Sequence, residues 1–391
     1  MLVLYGLGVT VGAGIYTLIG AAAARAGSHA PVAFLMAAAI MALTAASFAE
    51  LAGRVPVSGS EAAYVRQGLR SKRLALIVGL MVVTAGIISA AAITRGAAGY
   101  IAVFVNWPDW AIVTAVVLAM GLIAAWGISQ AVGVAAALTL IEVGGLLAVI
   151  AAGFWKSPAI LLDAPQAVYG LSSGAAWSGV FNAALLAFFA FIGFEGMVNV
   201  AEEVQAPERA IPRAILVVMI LSTTLYMLVV WVSIHAVPRE ELATSSAPLS
   251  LVFERVTHAS PTLINSIAIV ATINGVIVQM VMSSRVIYGM ARQKAVPAPL
   301  GAISSLTQTP LVATTLVIVS VLLLALAFPI ELLADATSRV ILVIFAFVNA
   351  SLVAIKRRKD PAPSGTFVGP EWVPIVGTLS CIGLLAADLL L

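Results

Sequence analysis

The sequence predicts an all-α membrane protein of about eleven transmembrane helices, and three observations predict it. The chain of 391 residues is 62% hydrophobic and only 9% charged, with a mean hydropathy of +1.11, whereas soluble domains run nearer half apolar and a quarter charged. Apolar runs of roughly eighteen residues or more recur along the whole chain, each long enough at about 1.5 Å per residue to cross some 30 Å of hydrocarbon. Two of these runs, the first and the sixth, are interrupted by glycines in mid-span, which predicts discontinuous helices there.

Charge clusters, prolines and glycines divide the chain into spans near 1–24, 31–54, 73–105, 110–128, 133–155, 179–203, 212–236, 262–292, 308–328, 331–355 and 372–391. The first run starts at Met1 without the basic stretch of a signal peptide and continues past Tyr16, so it reads as a true span. With a cytoplasmic N-terminus, fourteen of the 20 Lys and Arg residues fall in inner loops, clustered at Arg66–Arg73, Arg285–Lys294 and Lys356–Lys359. Five fall outside (Arg25, Lys156, Arg239, Arg255 and Arg339) and Arg95 lies inside the third span. That asymmetry predicts N-in orientation, and the membrane expected is the plasma (inner) membrane. The asymmetry also accounts for the pI near 9.1 without nucleic acid. The single cysteine, Cys381, and the scattered His29, His235 and His258 predict neither a disulfide framework nor a metal site, and no cofactor motif is present.

In the first span the text is Gly8-Val-Thr-Val-Gly12-Ala-Gly14-Ile-Tyr16; in the sixth it is Ala190-Phe-Ile-Gly193-Phe-Glu195-Gly196. Each interior glycine costs a helix about 1 kcal/mol relative to alanine, so both segments unwind easily. The breaks lie about five spans apart. An odd number of spans per repeat inverts the second copy, giving 1–155 as a first five-helix repeat, 156–178 as an extracellular connection, 179–358 as a second repeat, and 359–391 as a loop plus an additional helix. Glycines in membrane helices also serve close packing, but their paired placement fits the broken helices that build substrate sites in secondary transporters.

These residues resemble the amino acid-polyamine-organocation superfamily. Gly12-Ala-Gly14-Ile-Tyr16 resembles its first-helix break, and Ala190–Glu195 with the following Glu202-Glu203-Val204, Pro207-Glu208-Arg209 and Ile211-Pro212 resembles its sixth span and loop. Pro56-Val-Ser-Gly-Ser60 with Tyr64 is similar to a loop of its cationic amino acid transporter-like branch, and Ser283–Tyr288 with Met290-Ala-Arg292 and Pro297 resembles the end of its eighth span. Ala62 stands where that loop has an aromatic, and the family's charged leader and twelfth span have no counterpart, while the ten-helix core is expected intact. The resemblance implies a leucine-transporter-like 5+5 inverted-repeat core and a permease that moves amino acids by alternating access, through proton-coupled symport or exchange.

A zwitterionic substrate presents a carboxylate and an ammonium. Freed N–H groups around Gly12, Ala13 and Gly14, continuing to Ile15, are expected to bind the carboxylate at the positive end of the outer half-helix. Freed carbonyls near Thr10, Phe189 and Ile192, beside Gly193, are expected to accept from the ammonium. By resemblance Phe189 covers the substrate as a gate, with Phe191 a second gate candidate; Phe188 and Phe194 read as packing. Glu142 and Glu195 are carboxylates at membrane depth and functional candidates by default. The resemblance places a lysine near Glu142 in several proton-coupled relatives, where it replaces sodium. Glu142 is therefore expected to bind a proton or a cation such as sodium, or to serve a structural hydrogen bond, and Glu195 to brace the unwound backbone. Arg95 is expected to snorkel outward, and Glu202, Glu203, Arg209 and Arg213 to latch inner loops.

No nucleophile with a base, metal spacing or phosphate-binding loop supports an enzyme. Paired breaks, rather than filter-like rings, place a channel behind a carrier, and a receptor-like role stands further off. Within carriers, the alternative is a polyamine or cationic amine antiporter.

Overall fold

Hydrocarbon offers no partners for backbone N–H and C=O groups, so each spanning segment must satisfy its own. The computed structural model describes residues 1–55, 60–127, 132–158, 160, 171, 174–199, 204 and 206–390, with sixteen α-helices and no strand among them. The first half holds α1 (Leu2–Thr10), α2 (Ala13–Ala26), α3 (Ala30–Arg54), α4 (Ser60–Gly68), α5 (Lys72–Ile101), α6 (Asp109–Trp126) and α7 (Val132–Lys156). The second holds α8 (Gly174–Phe191), α9 (Gly196–Asn199), α10 (Pro207–Ala236), α11 (Arg239–Thr244), α12 (Pro248–Thr257), α13 (Thr262–Arg292), α14 (Leu311–Ala327) and α15 (Ile330–Arg357), followed by α16 (Trp372–Leu390).

Nine of the described runs are long and apolar enough to cross a bilayer, and Leu311–Ala327 is a shorter apolar helix. The first of the nine, Leu2–Arg54, contains the broken α1–α2 pair and then α3, so the described residues hold eleven candidate passes when that shorter helix is counted. Span limits shift slightly from the sequence reading. The third span ends at Ile101 rather than near 105, and the sixth divides at Phe191 and resumes at Gly196.

Sequence reasoning missed α11 and α12 because they are short and carry charge. Leu242, Leu249, Val252 and Val256 turn inward while Glu240, Glu241, Glu254 and Arg255 remain exposed, the pattern of amphipathic surface helices.

The helices sort into two packed groups. In one, α1–α2, α3, α8–α9 and α10 pack together; in the other, α5, α6, α13 and α14 do so. Helices α7 and α15 touch members of both, and α16 lies against α15 and α3. Leu122, Leu216, Leu323 and Leu379 stand exposed on the outside, as a lipid-facing surface requires. Trp107 and Trp110 flank the α5–α6 turn and Trp155 ends α7, all exposed, in keeping with an interfacial aromatic belt.

Candidate functional site

The first break is short. Helix α1 closes with the Val11 N–H donating to the Leu7 carbonyl at 2.6 Å, and Gly12 leaves the helix at φ −131°, ψ −143° before α2 starts at Ala13. No side chain caps the first turn of α2, so its leading N–H groups are those a helix leaves without internal partners.

The second break is a four-residue turn from Ile192 to Glu195, held by tight bonds from Ile192 N–H to Phe189 (3.2 Å), Gly196 N–H to Gly193 (2.8 Å) and Met197 N–H to Phe194 (3.0 Å). Gly193 sits at φ +131°, a conformation closed to residues with a side chain. Its N–H donates to Glu195 Oε2 at 2.9 Å.

The breaks meet face to face. A Cβ on Gly193 would overlap the Val9 carbonyl oxygen, and one on Gly14 would come within 2.6 Å of the Ala190 Cα. Tyr226 of α10 clamps the pair, its hydroxyl lying 2.7 Å from the Thr10 carbonyl oxygen and 2.9 Å from that of Ala190. A second clamp runs through tyrosines, with Tyr100 donating to the Tyr16 carbonyl (2.5 Å) and Tyr16 to the Glu142 carbonyl (2.6 Å).

Between the breaks and the α5–α13 pair lies a cavity of about 40 Å³, room for roughly three waters at most. Of the residues expected to bind substrate, Thr10, Gly12, Ala13, Gly14, Phe189 and Ile192 line it. Ile15 is buried in packing instead, and Gly193 faces Val9. The Thr10 carbonyl already accepts from Tyr226 and the Phe189 carbonyl from the Ile192 N–H; each retains a second lone pair. The Thr10 hydroxyl is buried without a partner among the described residues.

The two gate candidates separate. Phe189 borders the cavity, whereas the Phe191 ring packs edge-on to Tyr226 at 4.8 Å between centroids. Phe188 and Phe194 pack on Phe345.

Glu142 is fully buried behind the cavity. Its Oε1 lies 3.5 Å from the Asn274 amide, and its Oε2 meets no donor among the described residues. Arg95 reaches outward to Asp109 at the start of α6 and pairs with it. Glu202 and Glu203, like Pro56–Gly59 of the loop motif, lie outside the described residues, as does most of 156–178. Arg213 is exposed, and Arg209 lies beside Gly365.

Sequence reasoning missed Tyr226 and Asn274, although each was visible as a polar group within an apolar span. It also missed Ser89, Ile93, Gly275, Val278 and Gln279, which line the far wall. Nothing in their spacing distinguishes them from packing residues.

Ion pairs join helices at both ends of α15. At its start, Arg25 makes a two-pronged pair with Asp335 (2.9 and 2.7 Å) and donates to the Asn182 carbonyl (3.0 Å), joining α2, α15 and α8. At its other end, buried Glu50 pairs with Arg54 (2.9 Å) and Lys356 (2.8 Å) and accepts from the Gly369 N–H (2.9 Å).

An all-helical integral membrane protein with a small cavity between two facing helix breaks is the class that fold and site define. The chain matches the family model described as Amino acid permease over residues 2–389, and it belongs to that family, within the superfamily its motifs resemble. It is an amino acid permease of all-helical fold. It is similar to the branched-chain amino acid permease BcaP of Bacillus subtilis, at 26% identity over 98% of this chain and 86% of that one. The vacuolar cationic amino acid transporter 4 of Arabidopsis thaliana is 28% identical over 96% of this chain, which spans 64% of the plant protein. An uncharacterized transporter of Mycobacterium bovis is 29% identical over 98% of this chain and 83% of its own length.

Proposed function

We propose that this permease carries amino acids across the plasma membrane by alternating access, N-terminus cytoplasmic, with a proton as the coupling ion. The observation that carries the reading is the meeting of the two breaks. It sets the uncapped N-terminus of α2 and the carbonyl-rich end of α8 around one cavity. The substrate carboxylate binds the N–H groups from Ala13 onward, where the helix dipole favours negative charge. The ammonium takes the remaining lone pairs near Thr10, Phe189 and Ile192, and Phe189 covers the bound molecule.

Glu142 is the coupling group in this reading. It is a fully buried carboxylate next to the cavity through Asn274, with one oxygen unpartnered among the described residues. Glu195 keeps the structural task of holding the Gly193 N–H.

The test is uptake of a labelled amino acid panel into vesicles containing the purified protein. Saturable uptake driven by an inward proton gradient, and efflux accelerated by external substrate, are the expected results. Uptake that never saturates would instead mark a channel.

A further inference from the structure

Relatives of this chain are named for branched-chain and for cationic amino acids, two classes that differ by a full charge on the side chain. The cavity wall opposite the breaks is the part of the site that a substrate side chain meets. It is built by Ser89 and Ile93 of α5 and by Ala271, Gly275, Val278 and Gln279 of α13. None of the described residues lining the cavity carries a charge. The two acids beside the site stand outside its lining, Glu142 behind Asn274 and Glu195 on the Gly193 N–H.

From this wall we infer that the permease selects uncharged amino acids with short or branched apolar side chains, and that Gly275 sets the size it accepts. The inference rests on the transport reading above. A Cβ at position 275 would lie 3.3 Å from Ile93 Cδ1 and 3.8 Å from the Ala13 Cβ. Gly275 and Ile93 therefore stand directly across from the first residue of α2, where the substrate carboxylate is held. A side chain leaving the substrate Cα there meets the place where Gly275 packs against Ile93, so that any side chain at 275 would press on Ile93 and narrow the room left for the substrate. A lysine or arginine substrate would bring its cation against this uncharged wall with no counter-charge in the lining, and an unpaired charge in such surroundings is strongly disfavoured. Ser89 and Gln279 offer dipoles to the wall but no anion.

The experiment is competition against labelled leucine uptake in vesicles containing the full chain, with alanine, leucine, isoleucine, lysine and arginine as competitors. Leucine, isoleucine and alanine are expected to compete, with lysine and arginine at least tenfold weaker. Gly275→Val should weaken leucine and isoleucine by about tenfold or more relative to alanine, the scale on which a pocket discriminates by one or two carbon atoms. Gln279→Glu should bring lysine into competition. Thermal melting of each purified variant separates a changed pocket from a misfolded one, and the wild-type panel stands without any variant. Lysine competing as well as leucine in the wild type would overturn the charge inference. A well-folded Gly275→Val that weakens alanine and leucine equally would overturn the role of Gly275. Absence of uptake for every amino acid tested, from a protein that melts cooperatively, would instead sink the transport reading itself, and this inference with it.

Discussion

Gly193 faces the backbone carbonyl oxygen of Val9 so closely that a Cβ on the glycine would overlap it, and this contact joins the two helix breaks. Its positive φ of +131° and the lack of space act together. Gly193→Ala should therefore lose the strain energy of that backbone region, about 1–3 kcal/mol, plus whatever separation of the breaks the overlap forces. Gly12→Ala is the contrast, because Gly12 has φ −131° and a Cβ there would meet nothing within 4 Å. Melting temperature should fall sharply for Gly193→Ala and stay near wild type for Gly12→Ala, whose added methyl should lower substrate affinity instead. Equal melting temperatures for the two variants would contradict the packing described.

Tyr226 acts on the same pair of breaks through its hydroxyl. Tyr226→Phe keeps the ring against Phe191 and Phe34 but strips one donor from the Thr10 and Ala190 carbonyls. Leaving buried acceptors short costs about 1–3 kcal/mol. Ser222, one turn earlier on α10, is buried with its hydroxyl unpartnered among the described residues, so Ser222→Ala should be neutral or slightly stabilising. Equilibrium unfolding in detergent compares the two, and equal losses would remove the clamp role from Tyr226.

These residues show how much was legible beforehand. Both breaks could be read from glycine placement, since unwinding is a local property of the chain. Tyr226 and Asn274 act at the breaks from spans distant in sequence, and their partners are fixed only by how α10 and α13 pack. The α5–α13 wall was illegible for a simpler reason: Ile93, Gly275 and Val278 use the same residue types as any membrane helix interface. Phe191 shows how packing separates two residues of one motif. It shares a motif with Phe189, but adjacent positions on a helix point about 100° apart per residue, and two positions carry it from the cavity side to the core.

Glu142→Gln tests coupling. The substitution keeps shape and hydrogen-bonding capacity next to Asn274 while removing the site for an exchangeable proton. Wild-type uptake is expected to rise several-fold with an inward proton gradient, whereas the variant should transport at a rate indifferent to that gradient. Counterflow in the variant, measured without any gradient, should persist. Gradient-driven accumulation that survives in the variant would assign coupling elsewhere and leave Glu142 a structural hydrogen-bonding group.

The network around Glu50 makes the largest stability prediction. Its side chain is 1% exposed and is shared by Arg54 and Lys356, each 8% exposed, and it also holds the Gly369 N–H. Removing the one carboxylate leaves two buried cations facing each other, and breaking a buried pair in this way costs about 3–5 kcal/mol. Asp109, 62% exposed in its pair with Arg95, marks the opposite limit, where water screens the charges and the pair is worth about 0–1 kcal/mol. Unfolding free energies should therefore order Glu50→Ala well below Glu50→Gln, which keeps an acceptor for Gly369, and leave Asp109→Ala near wild type. Adding Lys356→Met to Glu50→Ala should recover part of the loss, because one of the two uncompensated cations is gone. A double variant no more stable than Glu50→Ala alone would show that Glu50 stabilises this end through its bond to Gly369 rather than through charge.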